Sequence, residues 1–175
     1  RLPATTVRRL RDISQQQRLT LNTIVQGSWA ILLSRYSGET DVVFGATTSG
    51  RPAAMPGVES MIGLFLNTLP LRAQPEPATP LLEWLHALQN VQLEVRQYEY
   101  ASLVEIQGWS EVPRGTPLFE SLLAFENYPE METMWTSTDS IDIREVEGFD
   151  RTNFPLTVNV GVFDEMLIRL VYAVE

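Results

Sequence analysis

Asp41-Val42-Val43-Phe44-Gly45-Ala46-Thr47 is the stretch on which the fold turns. It reads as a short, largely buried strand, and its neighbours on both sides then fall into place. Before it lie two helical patterns. In the first, running to about Gln17, Val7, Leu10 and Ile13 share a face, and Thr5 or Thr6 is placed to cap it. The second starts near Thr20-Leu21-Asn22, carries Ile24, Val25, Trp29, Leu32 and Leu33 at helical spacing, and meets its stop at Gly38.

After the strand, Thr48 to Ser60 is rich in glycine, proline and small residues and reads as a long loop. Leu66 to Ala73 returns to strand character, with Pro70 confining it to an edge or a bulge. Pro75, Pro77 and Pro80 mark a turn and a helix start, and Leu81 to Tyr98 is amphipathic through Leu82, Leu85, Leu88, Val91 or Gln92, and Val95. A short helix over Ser102 to Ile106 and a strand over Leu118 to Tyr128 follow. Further strands are expected near Ile141 to Glu147, Pro155 to Phe163 and Met166 to Tyr172, the last two joined by an acidic tip at Asp164-Glu165. The order contains a strand-helix-strand crossover, which predicts an α/β fold: a mixed sheet with helices packed on it.

Composition narrows the function. The 175 residues suffice for one domain with a real core, and 44% hydrophobic with 20% charged residues argues against disorder. There is no cysteine, which removes disulfides and zinc-thiolate sites. A net charge of -9 without a basic stripe argues against nucleic acid, and no apolar run is long enough to span a bilayer. A cytoplasmic setting is expected. All basic residues are arginine, so lysine Schiff-base and phosphate-loop chemistry are out. The start at Arg1-Leu2-Pro3 reads as a piece of something longer.

Catalytic machinery is hard to find. The single histidine, His86, lies in the middle of an amphipathic helix, where a structural role outweighs a catalytic one. No G-x-S-x-G elbow is present, and no metal-ligand spacing stands out. Glu126, Glu130 and Glu132 read as a solvated acidic surface. Trp29, Trp84 and Trp109 are expected in the core, while Trp135 sits in a polar loop without a periodic face.

One segment says more. Ile62-Gly63-Leu64-Phe65-Leu66-Asn67-Thr68-Leu69-Pro70-Leu71-Arg72 closely resembles a core motif of nonribosomal peptide synthetase condensation domains. Asp41 to Gly45 followed by Thr48-Ser49-Gly50-Arg51-Pro52 resembles that family's strand and Ser/Gly-Arg-Pro loop. Tyr98 to Glu105 stands where the family has a His/Asn-Gln-Asp-Tyr-Pro-Phe-Glu motif, matching at Glu105 but not at the His or Gln-Asp. Pro117-Leu118-Phe119 with Phe125 to Pro129, and Asp150-Arg151-Thr152-Asn153-Phe154-Pro155-Leu156, are also family-like. Five blocks in order are stronger evidence than any one short motif.

The resemblance implies that residues 1–175 are the C-terminal lobe of a chloramphenicol-acetyltransferase-like two-lobe fold. Donor and acceptor, each thioester-linked to the phosphopantetheine arm of an upstream or downstream carrier protein, would meet in a tunnel between the lobes. The acceptor amine would attack the donor thioester and form a peptide bond. No cofactor would be bound directly. The His-His-x-x-x-Asp-Gly motif would belong to the missing N-terminal lobe, since this chain has no His-His pair, and the chain alone would be inactive. Ser49, Gly50, Arg51, Gly63, Asn67, Thr68 and Arg72 would form or brace the tunnel floor. For Asn67 a loop-bracing role weighs more than substrate contact, and Ser49 could equally form a turn or contact substrate. Trp135, with Met131 and Met134, would lie on a latch reaching the other lobe, and Arg151, Asn153 and Pro155 would brace its end. Arg8, Arg9 and Arg11 are the basic cluster on which a carrier could dock. Two other readings share this half: a catalytically silent recruitment platform for partner proteins, and an acyltransferase with a free small-molecule acceptor.

Overall fold

The structure, a computed structural model, describes residues 1–51, 55–126 and 152–173. Helix α1 spans Ala4–Gln16. Pro3, not a threonine, stands at its N-cap: its carbonyl accepts from the Thr6 and Val7 amides at 2.9 and 3.1 Å, and no side chain caps the end. The proline ring fixes φ at the turn into the helix, so α1 starts ahead of Thr5 and Thr6 and takes both into its first turn. Helix α2, Leu21–Ser37, follows expectation at both ends: the Thr20 hydroxyl accepts from the Thr23 amide, and Gly38 closes it in the left-handed conformation.

Strand β1 is Val42–Thr48 and β2 is Asn67–Ala73, joined by residues 49–66, whose described part includes a 3-10 turn at Val58–Ser60. Helix α3 covers Leu81–Arg96 with Pro80 at its N-cap, and the short α4 covers Leu103–Trp109. Strands β3 (Ser121–Glu126), β4 (Leu156–Val162) and β5 (Met166–Tyr172) complete a five-stranded sheet of order β2-β1-β3-β4-β5. The β1/β3 and β3/β4 pairs are parallel, while β1/β2 and β4/β5 are antiparallel. This is the mixed sheet expected. Pro70 lies on the edge strand β2, where its missing donor costs least. The strand expected near Ile141 to Glu147 lies outside the described residues.

Helices α1, α2 and α3 pack on one face of the sheet. Val7, Ala30, Phe44, Leu71, Leu88, Leu123 and Val160 are all under 5% exposed and belong to a single cluster. Trp29 and Trp84 join it, the Trp84 indole donating to the Gln74 carbonyl at 2.8 Å. Trp109 does not: it is 69% exposed at the end of a two-turn helix that has no buried residue, so its expected core role is wrong. A helix that short makes no buried stripe of its own.

The opposite face is closed locally by aromatic rings. Phe119 stacks on Phe154 with ring centroids 5.2 Å apart and lies over Gly45, where a Cβ would run into its ring. Glycine at 45 thus makes room for the Phe119 ring on the central part of the sheet. Gly45→Ala is expected to force that ring off its site at a cost of about 1–3 kcal/mol. Urea unfolding of the two proteins checks this; an unshifted midpoint would place Phe119 elsewhere.

Candidate functional site

The long β1–β2 connection is held by side chains rather than by regular structure. Thr48 ends β1, and its hydroxyl accepts from the Gly50 amide at 3.1 Å. Gly50 has φ +57, and a Cβ there would run into the Phe65 carbonyl, so the returning arm of the loop passes directly over it. Arg51 then reaches across: its Nη1 donates to the Val58 carbonyl, its Nη2 to the Met61 carbonyl at 3.0 Å, and its guanidinium lies 4.3 Å from the centre of the Phe65 ring. A planar fork over an aromatic face can make all three contacts at once, which a lysine ammonium cannot. Val58 is buried by this arrangement, at 4% exposed.

Asn67 clamps the other end. Its Nδ2 donates to the carbonyls of Glu99 and Ala101, both at 2.8 Å, and its Oδ1 accepts from the Thr68 amide at 2.8 Å. Both donors and an acceptor lone pair are engaged, which matches bracing, not a free carboxamide aimed at a ligand. The clamp ties β2 to the turn between α3 and α4. That turn leads into a capping box, in which Ser102 accepts from the Glu105 amide at 3.3 Å and the Glu105 carboxylate accepts from the Ser102 amide at 3.1 Å. The Ser102 hydroxyl donates to the same carboxylate at 2.8 Å and holds its pKa below the usual carboxylate value.

Between these two braces the loop is apolar and uncovered. Ile62, Leu64 and Leu66 are 104%, 89% and 69% exposed, with Met55 and Met61 partly exposed beside them. Gly63 sits within the ridge, against the Phe65 ring. Ser49 is exposed, with its hydroxyl 3.5 Å from the Arg51 amide, at the outer limit for a hydrogen bond.

The expected floor set divides in two. Ser49, Gly50, Arg51, Gly63, Asn67 and Thr68 converge on this loop and its roots. Arg72 stands five residues along β2 from Asn67, about 17 Å away in an extended strand. It forms a fork with Asp41, its Nε 2.9 and 3.1 Å from the two carboxylate oxygens and its Nη2 2.5 Å from Oδ2. Gln74 adds a donor at 3.1 Å. The Arg72 hydrogen bond holds the Asp41 carboxyl below its usual pKa, and Asp41 raises that of Arg72 in turn. Arg72 therefore ties the far ends of β1 and β2 together.

Of the latch set, Trp135, Arg151, Met131 and Met134 lie outside the described residues. Asn153 and Pro155 are exposed where the chain enters β4, and the Pro155 carbonyl accepts from the Ala173 amide at 3.1 Å. The basic cluster on α1 also divides: Arg8 and Arg9 are exposed, while Arg11 donates to the Phe163 carbonyl at 3.1 Å. Glu126, read as solvated, is half-buried on β3. Among the described residues no three His, Cys, Asp or Glu side chains gather as a metal site would need, and no helix is long and apolar enough to cross a membrane.

A polar feature next to the loop escaped the sequence reading. Thr47 and Thr48 line a cavity of about 170 Å³ together with Asn22, Gln26, Gln92 and Arg96. Behind it, fully buried Thr23 donates to Gln92 at 2.7 Å, and Gln92 donates to Gln26 at 2.6 Å, locking α2 against α3. The Asn22 Oδ1 is shielded from solvent with no partner among the described residues. The available signal was polar residues three apart on faces otherwise apolar: Thr23 and Gln26 on α2, Gln89 and Gln92 on α3.

The condensation domain family matches residues 1–175 from end to end. This chain belongs to that family. It is 50% identical over 172 residues to a linear gramicidin synthase protein of Brevibacillus parabrevis, covering 98% of this chain and 2% of that protein. Chondramide synthase cmdD of Chondromyces crocatus is 42% identical over 91% of this chain and 4% of its own length. The chain thus spans only a few hundredths of these synthetases. Among solved structures, the condensation domain of the monacolin K polyketide synthase MokA superposes with a TM-score of 0.80 at 22% identity, covering 99% of this chain and 40% of that one. The X-domain from teicoplanin biosynthesis superposes at 0.77 with 23% identity, over 98% and 40%. The condensation-domain fold is shared throughout.

Two outcomes follow from the braces. Asn67→Asp exchanges two donors for a charge facing two carbonyls, and urea midpoints are expected to register a loss of about 1–3 kcal/mol. The lowered pKa of Asp41 means that its pair with Arg72 stabilises fully above the ordinary carboxylate range and fades as pH falls through the lowered value. With side chains 67% and 38% exposed, the effect is small. The stability gap between wild type and Asp41→Asn is expected to be widest near neutrality and to close below about pH 4, as followed by thermal melts across pH.

Proposed function

We propose that the chain is the C-terminal lobe of a condensation domain that joins carrier-bound aminoacyl or peptidyl thioesters in nonribosomal peptide synthesis. The observation that carries this reading is the β1–β2 loop, braced by Arg51 and Asn67 yet presenting Ile62, Leu64 and Leu66 outward. A solvated loop gains nothing from such side chains; a loop that forms one wall of an interlobe tunnel does. The 50% identity to a linear gramicidin synthase supports the peptide-forming class.

In the reaction so assigned, the acceptor amine attacks the donor thioester carbonyl. A C–N bond forms, the C–S bond breaks, and the phosphopantetheine sulfur leaves, the amine proton being balanced by formation of the free thiol. The His-His motif of the N-terminal lobe would assist that proton transfer. This chain would contribute positioning: a fixed apolar wall that aligns the two arms, which is worth rate without an acid or base of its own. Carrier proteins, upstream and downstream, are its partners in this reading.

A second reading, a recruitment platform, is favoured by one observation: a complex of the teicoplanin X-domain with OxyB superposes with a TM-score of 0.72 at 22% identity. That likeness concerns the fold, and the more extensive identity runs to the synthetases.

The test is reconstitution. The parent domain, with its upstream lobe and two loaded carrier proteins, is expected to yield a peptide detected by mass spectrometry, and residues 1–175 alone to yield none. Arg51→Ala in the whole domain is expected to lower the single-turnover rate about tenfold or more while carrier binding holds. Tight capture of a partner protein without peptide product would decide for the platform.

A further inference from the structure

The cavity between α2, α3 and the ends of β1 and β2 is distinguished by the hydrogen-bonding groups it leaves over. Gln26, Gln89 and Gln92 line it, and each of their side-chain oxygens is already taken. Gln26 Oε1 accepts from Gln92 at 2.6 Å, Gln92 Oε1 from Thr23 at 2.7 Å, and Gln89 Oε1 from the Thr20 amide at 2.8 Å. Gln89 also spends its Nε2, on the Arg18 carbonyl at 3.0 Å. Gln26 does not: its side chain is buried, and among the described residues nothing accepts from its Nε2. Asn22 adds a second donor, because its Oδ1 is shut off from solvent and its Nδ2 is the end of the carboxamide that meets the cavity. Arg96 is the third. Its side chain is 65% exposed, and its Nε lies 4.0 Å from a Glu99 carboxylate oxygen, beyond hydrogen-bond reach. Among the described residues no acid lines the cavity, Glu99 included. Leu69, Leu71, Leu93 and Val95 make the remaining wall. In a chain of net charge -9, a cavity whose spare groups are all donors, one of them cationic, stands apart.

We propose that this cavity binds a small aliphatic carboxylate. The anion pairs with the Arg96 guanidinium at the opening and accepts from Gln26 Nε2 and Asn22 Nδ2 inside, which engages both carboxylate oxygens. A buried donor without an acceptor is costly, and the bound carboxylate removes that cost at Gln26. The hydrocarbon tail lies on the leucines and Val95, where it leaves water. The volume sets the size: an apolar cavity of about 150 Å³ is known to hold a benzene, so one of about 170 Å³ takes a short branched acid. Inorganic phosphate suits the donors but offers nothing to the aliphatic wall. A carboxamide of the same shape suits the wall but gives up the charge that Arg96 recognises. Thr48 lines the same cavity and holds the Gly50 amide through its hydroxyl, so a bound acid bridges α2, α3 and the strand end from which the β1–β2 loop departs. The site lies in the helix layer, apart from the exposed ridge of that loop, and uses no step of peptide-bond formation.

Isothermal titration calorimetry of 3-methylbutanoate into the intact parent domain tests this. One saturable site is expected, with 3-methylbutanamide and inorganic phosphate each binding about tenfold more weakly or worse. Arg96→Gln and Asn22→Ala are each expected to weaken the acid by about tenfold or more, since each removes a donor to the anion. Arg96 is largely exposed and Asn22 partly so, and thermal melts of both variants check that the fold is kept. Arg8→Gln, on the exposed face of α1, is expected to leave the affinity unchanged and reports any diffuse attraction of the anion. Absence of saturable binding overturns the proposal and leaves the cavity to water. So does an affinity that Arg96→Gln leaves intact in a folded protein, an amide that binds as tightly as the acid, or a loss in Arg8→Gln as large as that in Arg96→Gln. Binding heat is read without carrier proteins or substrates, so a domain that makes no peptide can still bear the site out, and an active one can still sink it.

Discussion

The burial of β1 on both faces is the constraint from which the rest of the lobe follows. Phe44 points into the helix layer with no exposure at all, and its neighbour Gly45 points the other way, under the Phe119 ring. A strand covered on both sides needs partners for its backbone groups, and β1 pairs along its whole length with β2 on one side and at Gly45 and Ala46 with β3 on the other. The parallel pairing to β3 requires a crossover, which α3 and α4 supply, and the crossover returns over β2 at the point where Asn67 catches the carbonyls of Glu99 and Ala101. The β1–β2 loop thus hangs between two ends that the sheet and the crossover hold still.

Element types were readable because each carries its own period. The run Asp41 to Thr47, the alternation through Leu66 to Ala73 and the helical spacing of Leu85, Leu88 and Val95 placed β1, β2 and α3 within a residue or two of where they lie. Helix α1 differed at its start because proline geometry overrode threonine capping chemistry. Trp109 was misplaced because a seven-residue helix does not bring its residues round to a buried face. Neither error touched the topology.

The site was legible by resemblance and only partly by physics. The Ser/Gly-Arg-Pro and Asn-Thr blocks pointed to the β1–β2 loop, but nothing in their spacing told Arg51 from Arg72. One guanidinium stacks on Phe65 inside the loop, and the other pairs with Asp41 at the opposite end of β2. Both depend on partners far apart in sequence or on a chain reversal that has no periodic signature. The buried Thr23, Gln26 and Gln92 network is similar: its members sit on helices that read as apolar, and only their mutual packing shows that each completes the others' hydrogen bonds.

Residues 49–66 join two adjacent antiparallel strands, a task that two to five residues accomplish in a hairpin. A connection of that length costs entropy unless it is held, and here it is held by a guanidinium, a carboxamide and a glycine in the left-handed region, each spent on immobilising the loop. Immobilising a loop only to expose three aliphatic side chains makes no sense for an isolated globule. Under the proposed reading it would for a wall: a surface that must stay put while two flexible arms are brought together gains more from rigidity than from a reactive group, because alignment of the reactants is itself a large part of the barrier. Under the proposed reading, the chemistry would belong to a partner surface and this chain would supply the fixed geometry against which it works.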